Sequence, residues 1–154
     1  MITTPAWALP YRDDRYIAIG LHYAVAMLWQ PTCWSLGDRL QRWIKQDEHV
    51  LALFDLADLL GDPPLAAATV LNDVMLMRHF DARQQLHTVA LQLHHKPELI
   101  YVDDVQRCAL PDDLAIWPHI APSCVRNQFG IVPIVDPSLL FCLSATEINA
   151  QALQ

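Results

Sequence analysis

Apolar and polar residues alternate over residues 16–95 with the spacing of amphipathic helices, and this pattern predicts about five helices. The segment YIAIGLHYAVAMLW, residues 16–29, is apolar nearly all round, which is typical of a helix in the middle of a bundle. Four further helices are expected over about 36–46, 47–60, 64–79 and 82–95. The last has the most regular apolar stripe, formed by Ala82, Leu86, Val89, Ala90 and Leu93.

Helix start and stop signals lie between these segments. Ser35 with Asp38 and Asp81 with Gln84 each resemble a capping box, in which side chains satisfy the first free N–H groups of a helix. Gly61-Asp62-Pro63 predicts the end of one helix at the glycine and the start of the next at the proline.

The helical pattern stops at Pro97, because prolines recur at 97, 111, 118, 122, 133 and 137. Each proline removes a backbone donor and disfavours the helical conformation of the residue before it. Two short strands are predicted, 99–102 and 129–135, and pairing between them is one open arrangement. Pro133 is expected to confine the second to a sheet edge. A short helix over 112–117 and a last helical turn after Pro137 complete the prediction.

The predicted fold is therefore mainly α: a compact bundle of about five helices with a Pro-rich irregular C-terminal segment that has room for a short two-stranded β ribbon. We expect one domain over 1–154, with an N-terminal arm at 1–10 and a helical core at 16–95. A Pro-rich overlay at 97–137 and a short helix and tail at 138–154 follow. The overlay is too apolar for a solvated linker, so it is expected to lie across the bundle.

Composition narrows the function classes. The chain has 154 residues, 53% of them hydrophobic and 18% charged, and carries a net charge of −7. Such a chain is not typical of disorder, which requires low hydrophobicity and high charge. It has no basic run or stripe that would favour nucleic acid or an anionic membrane surface. The apolar run at 16–29 is shorter than the ~20 residues needed to span a bilayer.

No motif indicates catalysis or a cofactor. Four cysteines show no C-x-x-C spacing, which favours neither a zinc ribbon nor a thioredoxin-like site and is typical of a reducing cytoplasm. There is no G-x-S-x-G elbow and no glycine-rich phosphate loop. We therefore predict no cofactor and favour a protein that is not an enzyme.

A histidine cluster supports an alternative hypothesis. His87 and His94 share the polar face of the fifth predicted helix, His95 adjoins them, and Asp103 follows the first predicted strand. Imidazole and carboxylate are common transition-metal ligands, so these residues could serve a small metal-binding protein or enzyme. The competing interpretation is a solvated polar face, and no metal site is assigned.

The favoured hypothesis is a non-catalytic interaction protein that docks on another protein, as an adaptor, chaperone-like accessory factor or inhibitor. Trp117 and Ile120, in the Pro-rich segment, are predicted contact residues, with Trp117 facing outward and Phe129 inward. Asp55, Asp58 and Asp62 form an acidic edge that would suit a basic partner. Self-association of the chain stays open.

Overall fold

The computed structural model describes residues 3–35, 42–62 and 73–142, and β-strands dominate them. The predicted helical bundle is therefore wrong. The strands are β1 (Thr4–Arg12), β2 (Arg15–Gly20), β3 (Ala24–Trp29), β4 (Cys33–Ser35), β5 (Arg42–Gln46), β6 (His49–Asp55), β7 (Asp73–Phe80), β8 (Leu86–Gln92), β9 (Glu98–Val102), β10 (Ser123–Asn127) and β11 (Gly130–Ile134). Helical structure is short: α1 (Leu56–Leu59), α2 (Trp117–Ile120), 3₁₀ turns at Leu21–Tyr23 and Asp104–Gln106, and a helical segment over residues 137–142.

The strands form two sheets. Sheet A has the order β10-β11-β2-β1-β9, and sheet B has the order β3-β7-β8-β6-β5-β4. Neighbouring strands are antiparallel except for β11 with β2 and β6 with β8. The β2–β3 and β8–β9 connections each carry the chain from one sheet to the other.

Apolar clusters cover both faces of each sheet. All five strands of sheet A contribute to one cluster that includes Ala8, Ile100 and Val132, so the sheet curls around it. Sheet B curls in the same way around a second cluster that includes Ile44 and Val74.

A third and larger cluster lies between the sheets. It joins apolar side chains of β1 and β2 to those of β7 and β8, and α1, α2 and segment 137–142 add further side chains to it. This two-sided burial explains why strands here read as nearly continuous apolar runs rather than alternating ones. Such runs cannot be told from buried helices by periodicity alone.

Where the structure describes the five predicted helices, it shows mainly β-strands in their place. Residues 16–29 form most of β2, a 3₁₀ turn and β3. The described part of 36–46 is β5, and 47–60 contain β6 and α1. The described part of 64–79 is β7, and 82–95 contains β8. The residues of 36–41 lie outside the described ones, as does the start of the predicted fourth helix.

Two of the helix signals act at turns of the observed fold. Gly61, with φ +78°, follows the end of α1, which confirms the predicted helix stop at that glycine. Asp81 instead accepts the N–H groups of Arg83 and Gln85 in the turn between β7 and β8. A short acceptor side chain satisfies free N–H groups equally well in a turn and at a helix start, so the same residue type marks both.

The outer parts of the predicted organisation change as well. Residues 4–10 belong to β1, which is paired on both sides, rather than to an arm. Segment 97–137 is built into sheet A through β9, β10 and β11 instead of lying over a helical core. Both predicted strands exist, but β9 pairs with β1, while β11 pairs with β10 and β2.

Pro133 lies in β11, which has a neighbour on each side, so its predicted place at an edge is wrong. The missing N–H is tolerated because β11 is registered with β2 only through Ile134 and Ala18. The predicted helix at 112–117 is also misplaced: residues 112–114 form a bend, and α2 begins at Trp117. Among the described helices, none is both long and apolar enough to cross a membrane.

Candidate functional site

The most unusual surface of the described residues is strand β3, AVAMLW, at one edge of sheet B. Among the described strands, only β7 pairs with it, so no described strand pairs with the backbone N–H and C=O groups on its other side. Val25, Met27 and Trp29 are exposed to 41%, 44% and 64%. The strand carries no charged residue and no proline, which are two of the features by which proteins block strand addition at an edge.

The register of β3 explains this exposure. Met27 lies opposite Met75 and Trp29 lies opposite Asp73, on the face of sheet B that elsewhere lines the cluster between the sheets. The pairing of β3 with β7 shifts by one residue between Ala24 and Ala26, before Met27 and Trp29 are reached. Met75 is 1% exposed, so the buried apolar face of β7 continues outward onto β3 without cover from the described residues.

The other described sheet edges are better protected. Edge strand β9 also exposes two apolar side chains, Leu99 and Tyr101, but it carries Glu98. Edge strand β10 carries Arg126, and β4 has only three residues. We refer to Val25, Met27 and Trp29, together with the backbone on the side of β3 away from β7, as the β3 edge.

The sequence prediction missed the β3 edge because these residues were placed in a helix that is apolar on all sides. No apolar–polar alternation marks them, because residues 24, 26 and 28 are apolar as well; the strand conformation is what places Val25, Met27 and Trp29 at alternate positions. A bundle core would have hidden all three, whereas a sheet edge exposes them.

The structure does not present Trp117 and Ile120 to a partner. Both are 0% exposed and belong to the cluster between the sheets, so the prediction that Trp117 faces outward is wrong. The Nε1–H group of Trp117 donates to Asp113 Oδ1 at 2.8 Å, which satisfies its buried polar atom. Phe129 packs against the cluster inside sheet A, as its predicted inward orientation required.

The acidic edge is partly engaged in local structure. Asp55 caps α1 by accepting the backbone N–H of Asp58 at 3.1 Å, and Asp62 forms an ion pair with Arg12 of β1. Asp58 is exposed. The role of these three aspartates in binding a basic partner stays a prediction.

The histidines and aspartates of the alternative hypothesis fall into separate places. His94 and His95 meet Asp13 of the β1–β2 turn, and one potential ligand atom from each residue lies within 4.8 Å of the others. His87 instead contacts Asp81, with Nε2 2.7 Å from Oδ2. Asp103 accepts the Val105 N–H at the start of a 3₁₀ turn. The predicted grouping of His87 and Asp103 with His94 and His95 is therefore wrong.

His79 is a buried histidine that links β7 to segment 137–142. Its ring stacks on Phe141 at a centroid distance of 4.7 Å and on His87 at 5.4 Å. Burial, and after it the neighbouring His87 ring, lowers the pKa of His79 below the ordinary 6.5. The neutral imidazole is therefore the form that the folded chain favours.

We expect the free energy of unfolding to fall as the pH is lowered through 6.5, because the unfolded chain then binds a proton that folded His79 resists. The loss from this cause ends once the pH is below the folded pKa. His79→Phe should reduce the pH dependence measured by urea unfolding between about pH 7.5 and 5. His49→Phe, at an exposed position of β6, is the control, and an equal reduction there would contradict the assignment to His79.

Of the four cysteines, Cys124 is poorly suited to nucleophilic chemistry. All four lie in the described residues and no disulfide joins them, although the Sγ atoms of Cys108 and Cys124 are 3.5 Å apart. Burial raises the pKa of the Cys124 thiol to about 12. A thiol that stays protonated is a weak nucleophile and a weak metal ligand.

A cavity of about 220 Å³ lies beside sheet A, and Asp103, Asp104 and Arg107 contribute to its lining. Small-molecule sites typically measure roughly 300–1,000 Å³. This cavity is smaller than a typical small-molecule site, so the β3 edge is the stronger candidate for the functional site.

Comparison with known proteins adds information on the fold alone. No family model and no curated protein matches the sequence. The structure is similar to the crystal structure of the scaffolding protein TtCheW from Thermoanaerobacter tengcongensis, with a TM-score of 0.65. The similarity covers 91% of this chain and 93% of that protein, at 9% sequence identity. The two chains thus share a fold, consistent with two curled sheets and not with a helical bundle.

Proposed function

We propose that this protein is a non-catalytic adaptor that docks on another protein through the β3 edge. The observation that carries the proposal is an uncharged apolar edge strand with three large exposed side chains at alternate positions. Proteins that do not use such an edge usually block it with charge, proline or a covering element, because it invites strand addition. A surface of this kind suits a protein partner better than a small molecule.

The partner that fits is a protein segment in extended conformation. Its backbone would pair with the N–H and C=O groups on the side of β3 away from β7, and alternate apolar side chains would contact Met27 and Trp29. Tryptophan is enriched among residues that dominate binding energy, so Trp29 is the expected anchor. The net charge of −7 would speed association with a basic partner.

The fold neighbour supports the same class of function by analogy. TtCheW is named a scaffolding protein, so a fold of this kind is compatible with a scaffolding function. Fold similarity does not transfer a partner or a site, so the β3 edge carries the proposal by itself. We extend the proposal to a single domain over 1–154 acting in the cytoplasm.

Site-specific photocrosslinking tests this proposal in cells that naturally produce the chain. A photocrosslinking amino acid in place of Met27 should yield a covalent adduct with one defined protein, and the same amino acid in place of Thr88, exposed on β8, should not. The captured protein is then identified, purified and titrated. Trp29→Asp should weaken its binding at least tenfold, because it places a charge within an apolar contact.

Leu86→Asp is the matched control, since Leu86 is 52% exposed and lies on β8, outside the β3 edge. Equal weakening by the two variants, or no adduct at position 27 above that at position 88, would contradict the proposal. An adduct between two copies of the chain would show self-association at this edge and would also overturn docking on a different protein.

A further inference from the structure

We propose that Asp13, His94 and His95 form a binding site for a divalent transition-metal ion. Asp13 lies in the tight turn between β1 and β2, and the two histidines lie in the connection from β8 to β9. These two places are 81 residues apart along the chain. The site is independent of the docking function proposed above.

The ligand atoms are close enough to share one ion. His94 Nε2 lies 2.8 Å from Asp13 Oδ1, and the three ligand atoms all lie within 4.8 Å of one another. A tetrahedral ion with bonds of about 2.0–2.1 Å requires its ligand atoms to be about 3.3 Å apart. That spacing lies between the 2.8 Å of the closest pair and the 4.8 Å limit for the group, so binding would require small shifts of these partly exposed side chains.

The backbone and a neighbouring ring position the histidines. The His94 N–H donates to the Pro10 carbonyl at 3.1 Å, which ties the β8–β9 connection to β1. The Tyr16 ring meets the His95 ring edge to face at a centroid distance of 6.1 Å. Asp14, at φ +60°, forms the turn that presents Asp13. Preorganised ligands lose less conformational freedom on binding an ion.

The ligand set selects the class of ion. Two imidazole nitrogens and one carboxylate oxygen suit Zn²⁺, Ni²⁺ or Cu²⁺, whereas Mg²⁺ and Ca²⁺ prefer oxygen ligands throughout. The side chain of Asp13 is 85% exposed and that of His94 is 31% exposed, so water would complete the coordination.

Bound metal would have a structural consequence. Asp13 belongs to a hairpin of sheet A, while the β8–β9 connection leads from sheet B to sheet A. An ion held between them would link the crossover to the hairpin, and an ion that binds only the folded state raises Tm. With Zn²⁺ in hundredfold excess over its Kd, we expect a rise in Tm of about 8 °C.

Calorimetric titration with ZnCl₂ tests the site on the intact, metal-stripped chain. We expect one ion per chain, with at least a tenfold loss of affinity for each of Asp13→Asn, His94→Gln and His95→Gln. His87→Gln is the control, because His87 is also an exposed histidine paired with an aspartate but lies outside the cluster. The Tm of every variant in EDTA separates lost binding from lost folding.

Three outcomes would overturn the proposal: no saturable uptake of Zn²⁺, a loss with His87→Gln as large as with His94→Gln, or binding through thiols. The third is examined with Co²⁺, whose spectrum shows a sulfur charge-transfer band only when cysteine is a ligand. Cys108 and Cys124 are the pair to be excluded in this way. A Co²⁺ spectrum without that band, lost in His95→Gln, is the supporting result.

Discussion

Replacing Leu91 by alanine is expected to lower the free energy of unfolding by about 2–5 kcal/mol. Leu91 is 0% exposed and belongs to the cluster between the sheets. It lies opposite Met75 of β7 on one side and Phe54 of β6 on the other, so truncation opens a cavity at the centre of sheet B. Urea unfolding measures the effect, with an unchanged m value showing that the transition is otherwise the same.

Leu86→Ala is the matched control in the same strand, with an expected change within about 0.5 kcal/mol because the side chain is 52% exposed. The helical stripe predicted from the sequence contains Leu86 and omits Leu91. If the segment were that helix, Leu86→Ala would therefore lower the free energy of unfolding more than Leu91→Ala. A larger loss for Leu86→Ala than for Leu91→Ala would therefore contradict the strand.

The failure of the helix prediction can be traced to β8 itself. Its last four residues, Val89 to Gln92, are buried in succession because both faces of sheet B are covered. Two of these positions, 89 and 90, and the buried Leu93 just after the strand also fit a helical stripe. Local spacing cannot separate these cases, since what buries the second face is contributed by residues distant in sequence.

Strands and a helix end were predicted correctly where particular residue types marked them. The strands at β9 and β11 were predicted from β-branched and aromatic residues between prolines, and Gly61 marks the end of α1. Their partners were not predictable, because β1, which pairs with β9, lies about ninety residues earlier. Pairing over that distance depends on the whole fold and leaves no local pattern.

The candidate sites show the same division. His94 and His95 were identified from residue type, but their third member, Asp13, was not, because nothing in its sequence neighbours points to residue 94. The β3 edge was read as a buried helix, since exposure of an apolar strand depends on which strands pair beside it. Residue chemistry was thus readable from the sequence, while its grouping required the topology.

Trp117→Ala is expected to cost about 3–5 kcal/mol of unfolding free energy. The indole is 0% exposed and contacts the Tyr11 ring at a centroid distance of 6.1 Å. Its Nε1–H donates to Asp113, whose other carboxylate oxygen accepts Arg15 Nη1 at 2.6 Å. Truncation therefore removes a large buried ring and its hydrogen bond to Asp113, the residue through which α2 is linked to Arg15 of β2.

Trp29→Ala is the control that separates stability from docking. Trp29 is 64% exposed, so its truncation should change the free energy of unfolding by no more than about 0.5 kcal/mol while weakening partner binding. Urea unfolding of both variants, followed by titration with the captured partner, gives the comparison. A stable Trp117→Ala chain would contradict the buried position of that indole. Loss of stability in Trp29→Ala would show that the β3 edge is part of the core, because a side chain that serves only a partner contributes nothing to the isolated fold.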